Sequence, residues 1–351
     1  MSTLKNIVRN TEKTFDSLKM KVKEAMSLFD PVFIYPYGGF GNQEVAYLHG
    51  RILEKEGVIH GKNKLEDSTW NNLRKVWKRY ESDELPDVEV SGWFSGIKAT
   101  TVSDDEGYFT LKFEGFNNNP LEDGWHPVQL EITAMPFDIE FIKEADGEIL
   151  LNNQQDAAFG VISDIDDTIM VSHAMKPIKR VTTMLKNDGT SRVPFKGVGK
   201  LYKALSQENK NPMLFVSGSS YNLYDMLVSF IDHQKVPKAP LFLRDLGLGP
   251  KQWIKQDTKP YKLEHIERIF SVYNKLSFIL IGDSGQEDPE IYLAIHKKYP
   301  GRVKAIYIRH VHTDERKKEL EELAASVNFP FLIMDDSQEA YNHAQTQGWI
   351  R

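Results

Sequence analysis

From residue 157 onward, short apolar runs alternate with longer stretches of helical character, and this alternation restricts the fold more than any other feature of the chain. The runs Ala157–Ser163, Met213–Val216, Leu241–Leu243, Ser277–Ile281, Val303–Ile308 and Phe329–Ile333 are short and apolar enough to be buried strands. Helical segments are expected around Lys196–Ser206, Ser220–Ile231, Pro260–Tyr273, Pro289–Tyr299, Asp314–Ala325 and Ser337–Gln347. Strands and helices in strict alternation predict an α/β unit, a parallel sheet covered on both faces.

Several of these strands end in chemistry. The first runs into Ser163-Asp164-Ile165-Asp166-Asp167-Thr168. In open α/β sheets ligands bind beyond the carboxyl ends of strands, so Asp164 and Asp166 stand where a reaction is expected. Ile165 between them is free to point back into the core. A calcium loop starting at Asp164 is excluded, because its fifth, sixth and twelfth positions hold Thr168, Ile169 and Met175. The second strand ends Val216-Ser217-Gly218-Ser219-Ser220. A small hydroxyl followed by glycine lets backbone N–H groups approach an anion at a helix start. Ser219 and Ser220 read as helix caps. The fourth strand ends Ile281-Gly282-Asp283, followed by Ser284-Gly285-Gln286-Glu287-Asp288. Gly-Asp-Ser-Gly also surrounds a protease serine, but in an all-β, disulfide-bonded fold, and this chain has no cysteine. No P-loop is present, since Gly199-Lys200 is followed by Leu201.

These three strand ends, with a lysine on a later helix, resemble the four motifs of the haloacid dehalogenase-like phosphatases. Asp164 and Asp166 match the first motif and Ser217 the second. A lysine at the start of a later helix matches the third; Lys259 and Lys262 both qualify, and Lys262 is preferred. Asp283 and Asp288 match the fourth. The stretches Asp-Ile-Asp-Asp-Thr-Ile, Leu-Arg-Asp-Leu-Gly-Leu at 243–248, Ile-Gly-Asp-Ser-Gly-Gln-Glu-Asp-Pro-Glu-Ile-Tyr and Pro-Gly-Arg-Val-Lys-Ala-Ile-Tyr-Ile-Arg at 300–309 narrow the likeness. They resemble the actin-patch-protein type of phosphatidate phosphatase. The resemblance implies a Rossmann-like, HAD-like catalytic domain over 157–351 that releases phosphate from phosphatidic acid with Mg2+. It also implies Asp164 as nucleophile and Asp166 as acid and base. Thr168, Ser217, Gly218 and Lys262 hold the substrate, and Asp164, Asp166, Asp283 and Asp288 form the metal set. A soluble phosphometabolite or a phosphoprotein is the alternative substrate. Arg244 and Arg309, near strand ends, could meet phosphate or form salt bridges.

The first half reads differently. Residues 3–29 carry a loose apolar stripe at helical spacing, giving a helical segment over 1–30. Strands are expected at Val32–Tyr35, Val45–Leu53, Val88–Phe94, Lys98–Val102, Tyr108–Phe113 and Val128–Ala134, with a helical insert at Leu65–Tyr80. Pro36–Gly41 reads as a turn-rich loop. Residues 31–150 are expected to form an antiparallel β-sandwich, with a boundary between Glu144 and Asp156. The net charge of −6 gives no reason to expect a nucleic-acid partner. With no long apolar run, a soluble cytoplasmic protein is expected, one that meets a membrane, if at all, from the surface. The segment Met170–Lys186, apolar and basic by turns, is either a lipid-surface helix or an ordinary cap over the site.

Overall fold

The structure is a computed structural model that describes residues 31–54, 85–116, 120–169, 195, 197–245, 258–311 and 313–351. The expected helix over 3–29, the insert at 65–80 and the cap segment 170–186 lie outside the described residues.

Among its described residues the second half contains six parallel strands: β9 (Gly160–Ser163), β10 (Met213–Ser220), β11 (Leu241–Arg244), β12 (Phe278–Asp283), β13 (Val303–Arg309) and β14 (Phe331–Met334). Their spatial order is β11-β10-β9-β12-β13-β14. Successive strands therefore march outward from β9 on one side, and from β12 on the other. The reversal between β9 and β12 opens a crevice at their carboxyl ends, the place where doubly wound sheets bind ligands. The strands are apolar on both sides because both faces are covered. One face packs on α1 (Val198–Ser206), α2 (Tyr224–His233) and α6 (Ser337–Thr346), with Leu201, Ile231 and Ala340 in the core. The other packs on α3 (Thr258–Val272), α4 (Asp288–Lys298) and α5 (Asp314–Ala325), through Ile266, Ile291 and Leu320.

The first half forms one hydrogen-bonded sheet of eight strands: β1 (Val32–Pro36), β2 (Gly39–Gly41), β3 (Val45–Glu54), β4 (Glu89–Phe94), β5 (Ile97–Val102), β6 (Tyr108–Glu114), β7 (Gly124–Ala134) and β8 (Glu144–Leu151). The pairing is antiparallel except between β2 and β8. Its apolar side chains meet in a core of their own, including Leu48, Leu111, Phe113 and Leu130. Alternation is clean in β6, where Phe109, Leu111 and Phe113 are buried between exposed residues. Two strands were hidden in the sequence. β8 lies in the stretch expected to be a linker, because its charged residues face outward. β2 lies in the glycine-rich loop. A Cβ on Gly39 would stand 2.4 Å from the Tyr47 carbonyl oxygen, and one on Gly41 2.6 Å from the Ala46 Cα, so this close pairing needs glycine.

That loop also joins the two sheets. Tyr37 enters the core on one face of the parallel sheet and Phe40 the core on the other. Asn42 donates to the Val272 carbonyl at 2.6 Å, and the Tyr273 hydroxyl donates to the Gly41 carbonyl at 2.9 Å. Among the described residues no helix is long and apolar enough to cross a membrane.

Candidate active site

At the crevice, β9 delivers Asp164. Its backbone N–H bonds the Ile281 carbonyl at 2.9 Å, which pins it beside the end of β12. β12 delivers Asp283 as its last residue. A tight loop then leads into α4, whose first residue is Asp288, with Pro289 suited to the first helical turn. A Cβ on Gly282 would stand 2.5 Å from Asp288 Oδ2, so glycine lets that carboxylate lie against the strand. Helix α3 supplies Lys262 on its buried stripe, one turn before Ile266.

These side chains interlock. Lys262 Nζ donates to Asp164 Oδ1 at 2.8 Å and to Asp288 Oδ1 at 2.5 Å, and all three residues are buried. Asp288 Oδ2 accepts from the Asp283 N–H at 3.3 Å. Asp283 Oδ1 accepts from the N–H groups of Gly285 and Gln286, at 2.6 and 3.0 Å. Asp164 Oδ2 and Asp283 Oδ2 are buried and have no hydrogen-bond partner. Asp164, Asp283 and Asp288 each offer an oxygen within 4.8 Å of the others. Three carboxylates against one ammonium leave a surplus of negative charge where water is scarce. Burial, with the Asp288 carboxylate adding to it, pushes Asp283 up to about 8. Burial also holds Asp164 well above the usual range; the Lys262 ammonium opposes this, and the other three carboxylates add to it. Burial works against the Lys262 ammonium too, but Asp164 and then Asp288 outweigh it and raise its pKa. Two unclaimed, hard oxygen donors in an acidic niche fit a divalent cation such as magnesium. Asp288 has both oxygens engaged, so Asp164 and Asp283 are the residues placed to hold one.

The carboxylate of Asp166 does not join that group. Its Oδ2 accepts from Ser219 Oγ at 2.6 Å and from Ser217 Oγ at 3.1 Å. Ser219 is thus no helix cap. Ser220 is the cap, accepting from the Asn222 N–H at 3.2 Å. Gly218 lies at the rim, where an added Cβ would come 3.1 Å from Thr258 Cγ2. Asp167 takes a left-handed φ of 54°, which an aspartate tolerates better than most residues, and so turns the chain sharply after Asp166. Thr168 is buried; its carbonyl accepts from Arg309 Nε at 3.0 Å. Arg309 also donates to Ser337 Oγ at 2.6 Å and to the Asp335 carbonyl at 3.3 Å, and stacks over Phe195. It is committed to the fold, and the expectation that it could meet phosphate fails. Arg244 reaches Thr258 Oγ1 at 3.5 Å on the rim. A cavity of about 910 Å³ between the two sheets, lined by Tyr35, Trp125 and Tyr224, is separate from these carboxylates.

Residues 159–310 match the family described as phosphatidate phosphatase APP1, catalytic domain. This segment is similar to the APP1 catalytic-domain family. The phosphatidate phosphatase APP1 of Saccharomyces cerevisiae is 29% identical over 150 residues, covering 43% of this chain and 25% of the yeast protein. An uncharacterized Schizosaccharomyces pombe protein is 28% identical over 244 residues, 68% of this chain and 38% of that one. The chain therefore spans well under half the length of either relative. Among solved structures, a bacterial immunoglobulin-like domain of the M. primoryensis ice-binding adhesin aligns with 35% of this chain and 96% of its own length, at 10% identity and a TM-score of 0.17. Asp164, Asp166, Ser217, Lys262, Asp283 and Asp288 all fall inside the APP1 segment.

Proposed function

We propose that this chain is a magnesium-dependent, HAD-like phosphatase that converts phosphatidic acid to diacylglycerol, with 157–351 as its catalytic domain. The first sheet, folded as a β-sandwich over 31–150, buttresses it. The observation that carries this reading is the niche at the strand-order reversal, where Asp164 keeps one oxygen bound to Lys262 and the other uncommitted. A nucleophilic carboxylate needs such an oxygen.

In the first step Asp164 Oδ2 bonds to phosphorus while the phosphorus–glycerol oxygen bond breaks. Asp166 gives that leaving oxygen a proton, and diacylglycerol departs. In the second, water attacks the aspartyl-phosphate. Asp166 takes its proton, the bond to Asp164 breaks, and inorganic phosphate is released. Lys262 offsets the negative charge gathered around phosphorus, and Ser217 donates to a phosphate oxygen. Magnesium held at Asp283, beside Asp164, would supply electrostatic stabilisation of the phosphoryl oxygens and leave Asp164 Oδ2 free to attack.

Phosphate release from phosphatidic acid vesicles, compared with a small soluble phosphate ester and with and without magnesium, tests this. Lipid turnover that needs magnesium and disappears in Asp164→Asn is expected. Turnover of the soluble ester alone would replace the substrate, and none of either would overturn the reading.

A further inference from the structure

We infer that Ser219 is the positioning residue of the acid–base carboxylate, holding Asp166 in place while Ser217 serves the phosphate; this rests on the phosphatase reading above. Strand β10 continues through Ser220, and side chains two apart on a strand share a side. Ser217 and Ser219 therefore reach Asp166 together, past Gly218. Both hydroxyls now donate to the same Oδ2, Ser219 at 2.6 Å and Ser217 at 3.1 Å. The Ser219 N–H donates to Ser217 Oγ at 3.0 Å, which fixes that oxygen as an acceptor and turns its proton outward.

A serine hydroxyl carries one proton to donate. Ser217 cannot give it to a phosphate oxygen and to Asp166 at once. When phosphate takes it, Asp166 keeps only the Ser219 bond, which is also the shorter of the two. Ser219 then alone sets the rotation of the carboxyl group. With Oδ2 anchored, Oδ1 is the oxygen that passes the proton to the leaving glycerol oxygen and later takes one from water. The step that frees a poor alkoxide leaving group and the step that activates water both depend on this anchor. Expulsion of a phenolate that needs no proton does not.

The test uses the full chain with magnesium, phosphatidic acid vesicles and p-nitrophenyl phosphate, followed by stopped flow. Ser219→Ala should lower kcat on phosphatidic acid by about 10- to 100-fold, part of the usual general acid–base contribution, with KM within about 2-fold of wild type. On p-nitrophenyl phosphate its first burst of nitrophenolate should keep the wild-type rate while the steady rate falls. Ser219→Thr should restore kcat to within a few-fold. Ser217→Ala should instead raise KM. Wild-type kcat in Ser219→Ala overturns the assignment. So does equal loss in burst and steady phases without rescue by threonine, which marks a merely structural serine. Wild-type chain inert on both substrates overturns the phosphatase reading itself. Activity on p-nitrophenyl phosphate alone replaces the lipid, and the burst still decides the role of Ser219.

Discussion

The buried lysine is the residue on which the site balances. Lys262 faces two carboxylates with no water between, and removing one partner of such a set leaves charge buried and uncompensated, at a cost of about 3–5 kcal/mol. Lys262→Met should therefore lower stability by about that much in urea unfolding, and abolish turnover. Added magnesium should recover part of the stability and none of the activity. Asp283 gives the pH signature. Its folded pKa is about 8, above the unfolded value of 3.8, so the folded state binds the proton more tightly. Its stabilising contribution is present at low pH and is lost as pH rises from about 4 to about 8. In chelator, the thermal midpoint should fall between pH 6 and 8. Magnesium, which takes the deprotonated form, should flatten that fall, and Asp283→Asn should reduce both effects, Asp164 being shifted upward by the same burial. The preference for Lys262 over Lys259 rests on the resemblance of Lys262–Ile269 to the family's helix, and the structure puts Lys262 on the buried stripe with Ile266 and Ile269. Ser219 was not legible in the sequence. A serine at a strand end before a helix is usually a cap, and only the extension of β10 to Ser220 turns it toward Asp166.

At the scale of the elements, two glycines set the approach of neighbouring elements, Gly160 at the amino ends of the parallel strands and Gly282 at the site. Gly160 pairs with Phe278 across β9 and β12, and a Cβ there would lie 2.1 Å from the Phe278 ring. That ring is buried and stacked on Phe270, so it has no room to yield. Gly160→Ala should cost about 1–3 kcal/mol, as overpacked cores do, read from the urea midpoint. Gly282→Ala acts on chemistry instead. It pushes Asp288 off the strand and pulls on Lys262, so a loss of about 10-fold or more in kcat is expected. The six parallel strands and their helices could be read because each is a separate apolar run closed by polar turns. β8 could not, since Glu144, Asp146 and Glu148 on its outer side make a half-buried strand look like a linker. β2 could not either, since its glycines signal a turn unless the neighbouring backbone is known.

At the scale of the whole molecule, the seam between the sheets carries a second response to pH, of opposite sign. His49 on β3 and His265 on α3 both pack against Phe242, with ring centroids 6.0 and 5.0 Å away. His49 Nε2 and His265 Nδ1 are shut off from solvent and have no partner. Burial, aided by the Arg268 guanidinium, lowers His49 to about 4. Burial, then His49 and Arg268, lowers His265 to about 3. Both rings are therefore neutral in the folded chain. Unfolded, each takes a proton near pH 6.5, so acid favours the unfolded state. The stability this gives is complete above about pH 6.5 and drains away as pH falls through the two folded values. Between pH 7.5 and 5 each histidine should account for about 1–2 kcal/mol of the loss. His265→Phe, which fills the same space between Phe242 and Tyr261, should remove its share, visible as a smaller drop in thermal midpoint over that interval than in wild type. An equal drop in both proteins would show that the seam stays closed for other reasons, and would leave Tyr37 and Phe40, the two rings that Pro36–Gly41 sends into the cores of the parallel sheet, as its main fastening.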